Sequence, residues 1–83
     1  MEWPEWWEWE VEISTHVELR LEQRDFTEIE LRRMLDIAAG FAPDVLDGRW
    51  AIRTKHRKRH WEVIVEPDML RGILVVITAY ELS

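Results

Sequence analysis

Between residues 7 and 14, WEWEVEIS, apolar and polar positions alternate without a break. Trp7, Trp9, Val11 and Ile13 fall on one face, and Glu8, Glu10, Glu12 and Ser14 on the other. A period of two belongs to a half-buried strand, so the pattern predicts a strand here with Trp7 and Trp9 in the core. The period then lengthens. In THVELRLEQR, Val17 and Leu21 lie one helical turn apart and Ser14 or Thr15 stands where an N-cap is needed, which predicts a helix to about Arg24. TEIE, residues 27–30, reads as a capping box, with Thr27 as cap and Glu30 returning its side chain. Leu31, Met34, Leu35 and Ala38 follow at the spacing of a core-facing stripe, so a second helix is expected to about Ala39, closed by Gly40 as a left-handed C-cap.

FAPDVLDG, residues 41–48, holds the turn formers Pro43, Asp44, Asp47 and Gly48 and reads as a connector. Three strands are expected after it, at about 49–56, 60–66 and 73–81, joined by the cationic RKR tip and by PDMLRG. The last is nearly continuous in apolarity and belongs inside a sheet, covered on at least part of both faces. The predicted order is β-α-α-β-β-β, a single α+β domain over residues 1–83 that includes the Trp/Glu-rich strand in residues 1–14.

Length and composition narrow the reading. Eighty-three residues suffice for one small core. Without cysteine there is neither a disulfide framework nor a thiolate metal site, as suits a reducing cytosol. The first residues carry glutamates where a secretory leader needs bases, and ILVVI is too short to span a bilayer, so a soluble, cytoplasmic protein with no membrane partner is expected. A net charge of −6 opposes nonspecific polyanion binding. Residues 49–60, RWAIRTKHRKRH, nevertheless contain six Lys or Arg and no acid, leaving five bases against seventeen acids elsewhere. The chain is polarised, and its basic segment is the place to meet phosphate.

Four groups of residues could carry chemistry. His16, Arg20 and Arg24 form one row of the first helix, beside the Val17/Leu21 stripe. Such a row can be a helix edge pairing with acids such as Asp25 or Glu28, or a site where an imidazole moves a proton beside phosphate-binding guanidinium groups. In the hairpin, Arg49, Ala51, Arg53 and Lys55 alternate with Trp50, Ile52, Thr54 and His56, giving a cationic and a largely apolar face with Arg57, Lys58 and Arg59 at the tip. Those cations either discourage edge pairing or track a phosphate backbone. His56 and His60 flank the tip and could face one another, but two imidazoles among so many cations do not make a metal site, and no metal or cofactor is expected. Thr78 and Tyr80 share a face of the last strand and could hydrogen-bond an anion. Trp3 and Trp6, left over from the alternation, could form a partner-docking patch. No P-loop, dinucleotide fingerprint, nucleophile elbow or zinc signature is present.

The succession ISTHVELRLEQRDFTEIELRRML, GRWAIRT, HWEVIVEPD and LVVITAYEL resembles a bacterial family of domains of unknown function assigned to the RelE/ParE toxin superfamily, near the BrnT ribonuclease toxins, from about Ile13 to Leu82. The family's recurring His, Arg, Arg, Arg and Thr-x-Tyr fall on His16, Arg20, Arg24, Arg49, and Thr78 with Tyr80. The resemblance implies two helices packed on one face of a twisted, mainly antiparallel sheet. It also implies a metal-independent endoribonuclease toxin of a toxin–antitoxin pair, with RNA and a cognate antitoxin-like protein as partners. His16, Arg20, Arg24, Arg49 and Tyr80 would then be catalytic, and Arg53, Lys55, Arg57, Lys58, Arg59 and Thr78 would hold the RNA. The alternative is a noncatalytic interaction module on the same fold, binding protein or RNA. The acidic balance outside the hairpin favours the module; the alignment of His16 with the arginines favours the enzyme.

Overall fold

A computed structural model describes residues 2–24 and 26–82. The tryptophan-rich segment is not one long strand. Residues Glu5–Glu8 form a single 3₁₀ turn, and the first strand, β1, covers only Glu10–Ile13. The Pro4 and Trp6 carbonyls accept the N–H groups of Trp7 and Trp9 at 3.0 and 3.1 Å. This turn rotates Trp6 inward, to 6% exposure, with its ring 5.6 Å from that of Trp50. Trp6 is therefore core rather than part of a docking patch. Trp7 and Trp9 pack partly buried against that core, and Trp3 stacks on Trp7 with ring centroids 4.3 Å apart.

Helix α1 spans Thr15–Gln23; the Ser14 hydroxyl caps it by accepting the Val17 N–H, and Val17 and Leu21 are buried. Helix α2 spans Glu28–Asp36 and carries the expected capping box between Thr27 and Glu30, with Leu31, Met34 and Leu35 buried. It stops three residues before Ala39. The Ala39 N–H is already donated to the Arg53 carbonyl at 2.8 Å, and Gly40, instead of capping the helix, opens a strand that the connector reading missed: β2, Gly40–Pro43. Pairing with β3 (Trp50–His56) takes the backbone groups that a longer helix would have used. Gly48 supplies the positive φ, 86°, that the β2–β3 turn requires. β4 (Arg59–Asp68) and β5 (Ile73–Glu81) complete the chain.

The five strands form one sheet in the order β1-β5-β4-β3-β2. Only β1 and β5 run parallel, paired from Glu10–Ile73 to Ile13–Val76; every other neighbouring pair is antiparallel. β5 is interior, as its apolarity predicts, but beyond Val76 it has β4 on one side and no β1 partner on the other. Cross-strand register lines up Phe41, Ile52, Val63 and Ala79, and this row joins Val17, Leu21, Leu31 and Met34 of the helices in the main core. Thr54 is a buried polar side chain on that face, and its hydroxyl donates to the Met34 carbonyl, fixing α2 against β3. The opposite face shows the rows Arg53–Glu62–Tyr80 and Ala51–Ile64–Thr78. At the β4–β5 turn Arg71 donates to Asp68 at 2.7 Å and to Glu12 at 3.0 Å, tying the turn to β1. The Arg71 hydrogen bonds hold the Asp68 carboxyl below its ordinary range. No helix of the described residues is long and apolar enough to cross a membrane.

The two tryptophans left over from the alternation should separate on mutation. Trp6→Ala is expected to cost about 3–5 kcal/mol of unfolding free energy, as a buried aromatic does, and Trp3→Ala much less. Denaturant titration of both variants measures the difference, and equal losses would contradict the placement of Trp6.

Candidate functional site

The β3–β4 connection is a two-residue turn whose central residues, Arg57 and Lys58, have φ of 50° and 67°. A tight hairpin of this hand asks for positive φ at both positions, which Asn-Gly meets with little strain. Arg and Lys meet it at a cost of about 1–2 kcal/mol each, from the Cβ crowding the backbone. Local strain of this kind is retained where the side chains it positions are needed. Here they are cations.

Behind the turn lies a cleft bounded by Arg24 and Phe26. His56, at the end of β3, points toward the helices and is 13% exposed at its side chain. Its ring meets Phe26 edge-on at 4.6 Å and Trp61 edge-on at 5.8 Å, and Phe26 and Trp61 stack on each other at 5.2 Å. The Glu30 carboxylate divides its two oxygens between tasks. Oε1 accepts from the Thr27 N–H and hydroxyl at 3.2 and 3.1 Å, closing the helix cap. Oε2 lies 3.2 Å from His56 Nε2 and 3.4 Å from Arg57 Nη2. The His56 contact is ionic in range but not aligned as a hydrogen bond, so Nε2 is buried without a directed partner, as is the indole N–H of Trp61. Desolvation pushes the Glu30 carboxyl up, but the Thr27 hydrogen bonds and the charges of Arg57 and His56 outweigh it, and the net shift is downward.

Arg24 closes one side of this cleft. Its Nη1 donates to the Ala79 carbonyl at 3.0 Å, between Thr78 and Tyr80, on the stretch of β5 that β1 leaves unpaired. The last member of the His16/Arg20/Arg24 row is thereby held against the Thr-x-Tyr segment. His16 and Arg20 are exposed on α1. The acids suggested as partners for this row divide as follows: Glu28 pairs with Arg32, and Asp25 lies outside the described residues.

The remaining sequence candidates separate by face. Arg49 pairs with Glu66 at 3.2 Å, and the Tyr80 hydroxyl donates to Glu62 at 3.0 Å. Partial burial, that hydrogen bond and the charges of Glu62 and Asp44 all push the Tyr80 phenol up. Glu62 and Glu66 are four residues apart on β4, about 13 Å of strand, so Arg49 and Tyr80 are held by different carboxylates at separate places. Arg53 and Lys55 are exposed on this same face, and Thr78 is half-buried there. Arg57, Lys58 and Arg59 crown the turn, with Arg59 paired to Glu81 at 3.1 Å. His60 is the cross-strand partner of Lys55, and His56 that of Arg59. The two histidines occupy opposite faces and do not face one another.

The sequence reading did not single out Phe26, Glu30 or Trp61 for this site. The alternation did place His56 on the apolar face with Ile52 and Thr54, which is the face the helices cover. Its capping role accounts for Glu30, and nothing in the spacing announces that its second oxygen faces His56 and Arg57. No family model, curated protein or solved structure matches the chain.

Two outcomes follow from this geometry. Lys58→Gly removes one strained side-chain position while keeping the Arg57 contact, and should raise stability by about 0.5–1 kcal/mol, readable as a higher Tm. For Glu30, the native carboxyl titrates below the unfolded one. Its contribution to stability is therefore complete above the ordinary glutamate value of 4.5 and lost as pH falls through the depressed native value. The Tm gap between the parent and Glu30→Gln should close on acidification below about pH 4.5; a gap that widens there would reverse the assignment.

Proposed function

We propose that this domain is a RelE-like, metal-independent endoribonuclease, the toxin of a bacterial toxin–antitoxin pair. One observation carries the reading: the Arg24 bond to the Ala79 carbonyl, which aligns the helical His16/Arg20/Arg24 row with the strand segment bearing Thr78 and Tyr80. Cleavage of RNA without a metal needs a proton acceptor for the 2′-hydroxyl, cations for the charge that develops on phosphorus, and a proton donor for the leaving oxygen. His16, exposed on α1, is the candidate proton acceptor. Arg20 and Arg24 stand on the same row as cations; Thr78 and Tyr80 flank the Ala79 carbonyl along β5 with their side chains on the sheet face opposite the helices, so substrate would have to reach them around the strand edge. Arg53, Lys55, Arg57, Lys58 and Arg59 extend the positive surface along the hairpin, and Arg49 lies further off on the sheet, neutralised by Glu66.

A second reading, a noncatalytic module on the same fold, is favoured by two observations. Tyr80 and Arg49 are engaged by carboxylates, and the β2–β3 and β4–β5 loops, at the end of the sheet opposite the cationic turn, expose Val45, Leu46, Met69 and Leu70. Exposed apolar loops of that kind suit a protein partner such as an antitoxin.

The readings part on RNA cleavage by purified protein in EDTA, with and without ribosomes. The enzyme reading expects products ending in 2′,3′-cyclic phosphate and a rate lowered by about 10²–10⁴ in His16→Gln, with binding little changed. Neutralising Arg57, Lys58 and Arg59 together should weaken RNA binding evenly across sequences and flatten its salt dependence. Protein that binds RNA but cleaves none under any of these conditions is the module.

A further inference from the structure

We propose that the hollow between Arg24 and Phe26 on one side and the β3–β4 turn on the other is a binding site for a phosphate monoester, with Arg24, Arg57 and Arg59 as its cations and the His56 imidazole as a further donor. The site borrows Arg24 from the proposed RNA-cleaving edge but requires no cleavage. Three guanidinium groups, Arg24 from the end of α1 and Arg57 and Arg59 from the β3–β4 hairpin, line one hollow of about 220 Å³, a volume suited to a single anionic group rather than a whole drug-sized ligand.

One carboxylate oxygen already marks where a ligand oxygen would sit: Glu81, which lines the hollow, places Oε2 at 3.1 Å from Arg59 Nη1. Glu30 lines the adjoining hollow on the far side of His56 and Arg57, and its Oε2, 3.2 Å from His56 Nε2 and 3.4 Å from Arg57 Nη2, shows that both groups take an anionic oxygen. His56 Nε2, buried and without a directed hydrogen bond, is the kind of group that a correctly placed acceptor stabilises. The strained Arg57–Lys58 turn gives an independent reason to look here, since a hairpin selected only for stability would carry Asn-Gly at those positions.

The ligand class follows from the donors. A bridging phosphodiester has two free oxygens, whereas a monoester presents three and carries up to two negative charges, a closer match to three guanidiniums and an imidazole. Phe26 and Trp61 are buried and stacked on each other. They form a wall and leave no ring face for a nucleobase, so recognition is of the phosphate and not of the base. Such a group could arrive on a free nucleotide or at the 5′ end of RNA.

The test is titration of the folded domain at fixed ionic strength with a nucleoside 5′-monophosphate, and with one short oligoribonucleotide bearing either a 5′-phosphate or a 5′-hydroxyl. The His56 ring and the Trp61 indole N–H resonances report binding. The expected result is a saturable shift with at least one of the phosphorylated probes, and which of them responds identifies the source. The 5′-hydroxyl oligonucleotide should bind about tenfold more weakly than its phosphorylated twin, and Arg59→Gln should lose about tenfold for any probe that binds. Arg59 is 70% exposed at its side chain, so this change spares the fold. Glu81→Gln, which removes the competing carboxylate, should bind severalfold more tightly. Shifts that fail to saturate, equal binding of the two oligonucleotides, or indifference to Arg59→Gln would each overturn the site. Phosphate binding without RNA cleavage would leave the site intact and remove the ribonuclease reading; cleavage without monoester binding would do the reverse.

Discussion

Two nine-residue helices can cover only one face of a five-stranded sheet, and that shortage of cover constrains the rest of the molecule. The covered face can be fully apolar, and the row from Phe41 through Ile52 and Val63 to Ala79 uses it so. The other face must be compatible with water in every row that the chain leaves open. It meets that requirement with cross-strand polar neighbours, Arg53 beside Glu62 beside Tyr80, and with the Arg49–Glu66 pair. Ala51 and Ile64 are buried side by side between these rows. The cations of the outer face therefore have a structural duty whether or not they meet RNA. Exposed pairs of this kind contribute little to stability, about 0–1 kcal/mol, but they keep a one-sided sheet wettable.

The end of the sheet at the β3–β4 turn obeys a different rule. There the chain accepts left-handed backbone at two residues that disfavour it and leaves a buried imidazole nitrogen without a directed partner. Glu30 connects these local costs to the fold, because the same carboxylate that closes the α2 cap through Thr27 also faces His56 and Arg57. Helix initiation and the electrostatics of the cleft thus share one side chain. Loosening the cap would release a charge into the cleft, and drawing the carboxylate toward the cations would strain the cap.

Much of the fold was legible because its determinants are local. The Ser14 and Thr27 caps, the Val17/Leu21 and Leu31/Met34/Leu35 stripes, and the apolar β5 each announce an element within a few residues. The misreadings occurred where long-range pairing competes with local pattern. Gly40 satisfies the pattern of a helix C-cap, but the Ala39 N–H finds the Arg53 carbonyl and the chain becomes strand. Trp7 and Trp9 satisfy an alternation, but the turn after Pro4 buries Trp6 and leaves Trp7 and Trp9 only partly buried against the core. The cationic hairpin was visible as composition, and the site behind it was not, because Phe26, Glu30, His56 and Trp61 meet only after three elements have packed. The α+β class, with two helices and a mainly antiparallel sheet, is the one these local signals predict.

Net charge is a poor guide to what such a molecule binds. Glu10, Glu12, Asp44, Glu66 and Asp68 lie toward the end of the sheet opposite the Arg57–Lys58 turn, and β4 alone, at ten residues, puts about 30 Å between those ends. At physiological salt, charges are screened over about 8 Å, so among the described residues an anion near the turn responds to Arg24, Lys55, Arg57, Lys58 and Arg59 set against Glu30 and Glu81, and scarcely to the distant acids. Those acids act instead on approach, since an extended polyanion laid across the whole protein meets repulsion at one end that a short phosphorylated ligand or a chain terminus escapes. The charge distribution thus selects for ligands that engage the turn end-on, and it gives an acidic protein a cationic site without making its entire surface adhere to nucleic acid.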